Sequence, residues 1–194
     1  MLERLSGNTF PQWEITVLCD VENPLCGEEG SARVFAPQKG ATPEQVVFIE
    51  KRNHEFAKEI QKRFGLSVAK MPRAGSAGGL ATAFHAFLGG KLVSGSEFVL
   101  EASRFETVLQ EQDVLLVGEG KTDFQTLSGK SPWAAIQVAE KLQKKSILIS
   151  GVLGEGSEKI EAPGLVAKVA CGREPSPEIA LRRSVSEALL VLLE

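Results

Sequence analysis

The sequence predicts an α/β protein whose second half is built on a parallel sheet, and three observations lead there. First, Val114 to Val117 is a short run of branched apolar residues, as expected of a strand covered on both faces. Second, from about residue 110 onward strand-like and helix-like segments alternate, the pattern of βαβ units with crossovers. Third, the first half contains a well-signalled long helix between short apolar pieces and glycine-rich turns.

In chain order, a polar lead-in is followed by a strand at Ile15 to Leu18, ended by Asp20 and by a turn through Asn23-Pro24, Gly27 and Gly30. A short apolar piece, Ala32 to Ala36, runs into the loop Pro37-Gln38-Lys39-Gly40. A helix then begins at Thr42, which has Pro43 at the first helical position and Gln45 where a capping box needs it. Val46, Ile49, Phe56, Ile60 and Phe64 recur at helical spacing, and Gly65 is the expected stop. A glycine-rich loop at Gly75 to Gly79 leads into an apolar helix over Leu80 to Leu88. Glu97 to Leu109 predicts one or two helical turns, with a boundary between two halves near residues 92 to 104.

The second half predicts a strand at 114 to 117, a helix from 132 to about 144, a strand at Ile147 to Ile149 and a loop through Gly151, Gly154 and Gly156. A strand at Leu165 to Val169 and a helix from Pro177 to Leu193 complete it. Three strands are few for an independent sheet.

Bulk properties exclude several classes. The net charge of −3, with lysine and arginine scattered, gives no electrostatic reason to expect nucleic acid. No segment approaches the roughly 18 consecutive apolar residues of a membrane span. The first residues lack the apolar stretch of a signal peptide, so the cytoplasm is the expected compartment. Three cysteines, at 19, 26 and 171, form no CxxC pair and no disulfide framework; free, buried or half-buried thiols are expected, and no zinc site. His54 reads as an exposed helix residue and His85 as a hydrogen-bonded core histidine.

Chemistry concentrates after residue 117, where the sequence predicts a polar loop carrying Gly118, Glu119, Gly120, Lys121, Thr122 and Asp123, followed by Thr126 and Lys130. Strand, polar loop and helix is the order that places ligands at the carboxyl end of a sheet. Gly75, Ser76, Gly78 and Gly79 form a second candidate, because their small side chains and the following helix start suit an anionic group. The spacing is neither a dinucleotide fingerprint nor a Walker A loop, and close packing of a helix end against backbone explains it equally well.

The segments CDVENPLCG, VFAPQKGA, PRAGSAGGL, FLGGKLVSG, FVLEA and GEGKTDFQTLSGK, in this order, resemble the C-terminal half of bacterial glycerate kinases of the first type. The resemblance implies a Rossmann-like domain with a second α/β domain inserted into it. Residues 1–97 would be the C-terminal part of the inserted domain and 98–194 the C-terminal part of the Rossmann-like parallel sheet. It implies ATP-dependent phosphorylation of a D-glycerate hydroxyl, with Mg²⁺. Phosphoryl transfer needs charge neutralisation, an aligned hydroxyl and a proton acceptor.

On that reading Asp123 is the acid/base or Mg²⁺-binding residue, assisted by Glu119. Lys39 and Lys130 bind anionic groups, Gly118 and Gly120 admit a ligand to the backbone, and the 75 to 79 loop cradles phosphate or carboxylate. Asp20, Lys121 and Thr126 rank second. Structural alternatives remain for each group: a loop-capping carboxylate for Asp123, an ion pair with Lys121 or Lys130 for Glu119, and a solvated turn residue for Lys39.

Arg73, Ser76, Ala36 and Ser150-Gly151-Val152 depart from the family pattern, and its PDSFK-like, DGGEGT-like and GGSATNDGG-like loops do not occur here. The expected consequences are unpaired strand edges and an uncovered core face, closed by an N-terminal half or a second copy of the chain. The alternative to a kinase is a truncated, catalytically inactive fragment that binds an anion or a partner.

Overall fold

Helix formation in the first half follows the capping signal. In a computed structural model, which describes residues 13–123, 126–128, 130–172 and 176–192, the Thr42 side chain accepts from Gln45 N and the Gln45 side chain accepts from Thr42 N. The helix so capped spans Pro43–Phe64 and stops at Gly65. It is the second of the chain, α2; the first, α1, is the short helix Ser31–Phe35 formed by the apolar piece before it. A 3₁₀ turn over Pro37–Lys39 separates them.

The chain falls into two compact units dividing between Gly95 and Ser96. In the first, β1 (Thr16–Cys19) pairs in parallel with β2 (Lys91–Ser94), a strand the sequence did not signal because it is four residues long and follows Gly89-Gly90. Between them α3 spans Ser76–Leu88, but Ala77, Gly78 and Gly79 all have left-handed φ, so regular helix starts at Leu80, as the apolar pattern predicts.

The core of this unit gathers Leu25, Cys26, Ala57, Ile60, Val68, Ala74 and Ala86, with Phe56 packed beside it. The Phe87 ring meets Phe64 edge-on at 5.4 Å. Removing a side chain as buried as Ile60 would cost about 2–5 kcal/mol.

The buried face of α2 corrects the predicted stripe. Glu50 is buried whereas Ile49 and Phe64 are 36% and 45% exposed. Polar docking rotates the helix: Gly27 N donates to Glu50 Oε1 at 2.7 Å, and Asn53 Nδ2 donates to Leu25 O and Ser31 Oγ.

In the second unit α4 (Gly95–Ala102) and α5 (Phe105–Gln110) are separated by Arg104 in a left-handed conformation. Three parallel strands follow in the order β3-β4-β5: Val114–Thr122, Lys145–Leu153 and Leu165–Ala170. The central strand buries Ser146 to Ser150 without interruption, because α6 (Ser131–Lys141) covers one face and α7 (Pro177–Leu190) the other. Leu148 joins Val117, Ala135 and Ile136 on the α6 side, while Ile147 and Ile149 join Ala188 on the α7 side, the two-residue alternation of a strand.

Two expectations about this sheet need correction. Gly118 to Lys121 are not loop residues, and Gly151 is not either: β3 and β4 run on together, with Glu119 opposite Ser150 and Thr122 opposite Leu153. The polar side chains conceal a strand because the ladder is made by backbone groups alone, and its partner lies some thirty residues away in the chain. The expected open edge is present: among the described residues β3 pairs with β4 only, and its Leu116 is 45% exposed. No helix among the described residues is long and apolar enough to cross a membrane.

Candidate active site

The extension of β3 turns a predicted loop into a rigid platform. Gly151 on β4 makes the pairing there possible, since a Cβ on it would stand 2.6 Å from Gly120 O. Thr122 N, at the last residue of β3, donates to Ser150 Oγ at 3.1 Å, and Ser150 Oγ in turn donates to Val152 O at 2.8 Å. Gly154 N donates to Thr122 O, closing the end of the two strands. Thr122 and Ser150 are completely buried, so these bonds fix where the chain leaves the sheet.

On this platform sits a small polar cluster. Glu119 Oε1 accepts from Thr122 Oγ1 at 2.6 Å and from Thr126 Oγ1 at 3.0 Å. The buried Thr126 hydroxyl also accepts from Asp123 N at 3.3 Å, and Thr126 N donates to Asp123 O, which ties Asp123 to the first residue of a 3₁₀ turn over Thr126–Ser128. Asp123 Oδ2 lies 2.9 Å from Lys121 Nζ; the carboxylate side chain is 10% exposed and the ammonium side chain 61%. A buried carboxylate facing a solvent-reaching cation is an arrangement an incoming anion can exploit, because Lys121 can turn toward it without losing contact with water.

Beside Glu119 lies a cleft of about 300 Å³, lined on the α7 face by Leu116, Gly118, Gly151, Cys171, Leu181 and Val185 among others. Gly118 leaves space in it, since a Cβ there would meet only Ile149 O at 3.9 Å; Gly120, which does not line the cleft, has open space of its own, with nothing within 4 Å of a Cβ. A larger cleft of about 620 Å³ lies among α4, α5 and α6, but no residue from the carboxyl end of β3 lines it.

The fold therefore brings together Gly118, Glu119, Gly120, Lys121, Asp123 and Thr126, six of the residues the sequence singled out. Lys130 is the N-cap residue of α6 and is half-buried. In the sequence Thr122 reads as a loop hydroxyl and Ser150 only as a departure from the family pattern; neither is assigned the platform-holding role, because the bond between them joins two strands. Two carboxylates and neighbouring hydroxyls are hard oxygen donors, a chemistry that fits Mg²⁺ and not a soft metal.

The candidates of the first unit are placed differently. Asp20 is exposed immediately after β1. Lys39 closes the 3₁₀ turn and, with Phe48 and Ile49, lines a cleft of about 490 Å³. In the glycine-rich loop, Gly75 N donates to Asn23 O, Gly79 N to Gly75 O, and Ser76 Oγ to Val21 O. A Cβ on Gly75 would stand 2.3 Å from Pro24 O, so this glycine serves close backbone packing. Gly78 is exposed, with open space where a side chain would be.

Residues 4–191 match the model of the glycerate kinase family. The chain belongs to the glycerate kinase family. It is 40% identical over 156 residues to a glycerate kinase of Halalkalibacterium halodurans, covering 80% of this chain and 41% of that protein. With the glycerate 2-kinase of Escherichia coli the identity is 38% over 153 residues, or 79% of this chain and 40% of the relative. The chain thus spans about two fifths of the curated relatives it matches. The crystal structure of a protein assigned as glycerate kinase 2 from Salmonella typhimurium LT2 is similar with a TM-score of 0.61 and 35% identity, covering 92% of this chain and 46% of that one. The similarity to that solved structure agrees with the α/β class seen here.

Proposed function

We propose that this chain supplies part of the catalytic body of an ATP-dependent kinase acting on D-glycerate, with the carboxyl end of β3 as its phosphoryl-transfer site. The observation that carries the reading is the Glu119–Thr126–Asp123–Lys121 cluster, held in place at the carboxyl end of β3. Asp123 takes the proton of the attacking hydroxyl, and Glu119, oriented by two threonine hydroxyls, holds the turn in position. Lys121 and Lys130 meet the anionic groups of substrate and nucleotide, and Gly118 and Gly120 leave room for them. Glu119 and Asp123 are the residues that would hold magnesium, which neutralises charge on the transferring group when bound.

The two units would correspond to the C-terminal parts of the family's inserted and Rossmann-like domains. Lys39 and the exposed Gly78 turn would bind an anionic group, a carboxylate or a phosphate. Asp20 stays a second-rank candidate, and Gly75 and Ser76 act through packing rather than contact. The reaction would be cytoplasmic.

The test is a chimera in which residues 1–194 replace the matching part of the E. coli glycerate 2-kinase, assayed for ADP release with D-glycerate, ATP and Mg²⁺. The expected result is turnover that falls by orders of magnitude in Asp123→Asn with an unchanged circular dichroism spectrum. Near-normal turnover of that variant would remove Asp123 from the chemistry.

A second reading, a truncated, catalytically inactive fragment that binds an anion or a partner, is favoured by the edge of β3 that has no partner strand among the described residues. Residues 1–194 assayed with and without the N-terminal part of the E. coli glycerate 2-kinase distinguish the two: turnover restored by that part supports the first reading, and none in either case the second.

A further inference from the structure

The fold brings together three metal-binding groups that the sequence keeps far apart. Cys26 lies in the loop after β1, fully buried and tied down by Cys26 N donating to Ala69 O at 3.0 Å. Glu50 and His54 stand one turn apart on α2, with His54 Nε2 3.1 Å from Glu50 Oε1. One donor atom from each of the three lies within 4.8 Å of the others.

We propose that Cys26, Glu50 and His54 bind a thiophilic divalent metal ion of the zinc class, bracing the loop after β1 against α2. Thiolate, imidazole and carboxylate are the three donor types zinc takes, and donors around a tetrahedral zinc stand roughly 3.3–3.8 Å apart. The 4.8 Å within which the donors lie exceeds that value by about 1 Å, and His54, exposed and already 3.1 Å from Glu50 Oε1, can turn toward the thiol.

An independent observation points to a ligand. Glu50 is buried, its Oε1 is occupied by Gly27 N and His54, and its Oε2 is buried with no hydrogen-bond partner. A buried carboxylate oxygen left without a donor is rare in folded proteins, and a cation satisfies it.

The thiol is the group that must change state. Without metal, burial and the neighbouring Glu50 charge push Cys26 up to about 11, with Lys70 opposing them. Metal binding displaces the thiol proton to solvent and replaces it by the metal–sulfur bond. Lys70 is the competing cation: its Nζ lies over Gly27, where a Cβ would meet it at 2.2 Å, and its exposed side chain can swing out. This site takes a soft-donor metal in the first unit, whereas the β3 cluster offers only oxygen, so the proposal stands whether or not the kinase reading does.

The test is a titration of the metal-free chain with Co²⁺, followed by back-titration with Zn²⁺. The expected result is one equivalent bound per chain, with the thiolate-to-cobalt charge-transfer band and the visible bands of a tetrahedral ion. Cys19→Ser and Cys171→Ser keep the band, and Cys26→Ser loses it. Because Cys26 is in the core, His54→Asn is the second variant. Loss of an outer-shell partner of a metal ligand already costs about 10–100-fold in affinity, so loss of His54 should cost at least about 100-fold. The metal-free melting temperature of that variant should not move. Absence of the band at one equivalent, its persistence in Cys26→Ser, or undiminished affinity in His54→Asn would each overturn the proposal.

Discussion

Replacing Thr126 by Val tests the polar cluster at its hinge. The two side chains have nearly the same shape, so the substitution removes the hydroxyl and leaves the packing. Thr126 is fully buried, and its Oγ1 both donates to Glu119 Oε1 at 3.0 Å and accepts from Asp123 N at 3.3 Å. A bond to a carboxylate contributes about 1.5–3 kcal/mol and a neutral one about 0.5–1.5. With the second bond long, the loss should be about 2–4 kcal/mol.

At roughly 4–8 °C per kcal/mol for a domain of about 100 residues, the melting temperature should fall by at least about 8 °C. Thr126→Ser keeps the hydroxyl and loses one methyl, about 0.8 kcal/mol, so the gap between the two variants isolates the hydrogen bonds. Urea unfolding is read from Trp133, which packs in the α6 core, after Trp13, 66% exposed, has been changed to Phe. A double-mutant cycle with Glu119→Gln should give a coupling of about 1–2 kcal/mol. A loss below about 0.5 kcal/mol for Thr126→Val, or strict additivity with Glu119→Gln, would refute the cluster as described.

Gly151→Ala drives a methyl against Gly120 O and should cost about 1–3 kcal/mol in urea unfolding, whereas Gly120→Ala, with nothing within 4 Å, should be close to neutral for stability. If Gly120 admits a ligand, the second variant should nevertheless lower turnover in the chimera. Gly75→Ala must displace Pro24 O and should destabilise the first unit by more than 2 kcal/mol by thermal denaturation, an order-of-magnitude figure from overpacking. Thr42→Ala removes one half of the capping box on α2 and should cost about 1 kcal/mol in the same measurement.

What could be read from the sequence was local. The ends of α2 were legible because Thr42, Pro43, Gln45 and Gly65 act within one turn of where they stand. Its buried face was not, because Glu50 and Asn53 are drawn inward by backbone groups of a loop more than twenty residues earlier. The β3 boundary was hidden for a similar reason: Gly-Glu-Gly-Lys has the composition of a turn, and only the partner strand makes it extended.

Within the site, Glu119, Asp123 and Thr126 could be picked out together because seven residues separate the first from the last. Ser150 could not, since its contact with Thr122 crosses the sheet. The glycine-rich loop shows the limit of composition. Gly75 and Gly78 look alike on paper, yet one is pressed against Pro24 and the other faces open space.

The β3 rim has a practical consequence for handling the protein. Among the described residues its inner stretch has no second partner strand beside exposed Leu116, and within β3 only Lys121 near the far end carries the positive charge that discourages an incoming strand. Self-association through that rim should therefore grow with protein concentration and begin at the Val114 end.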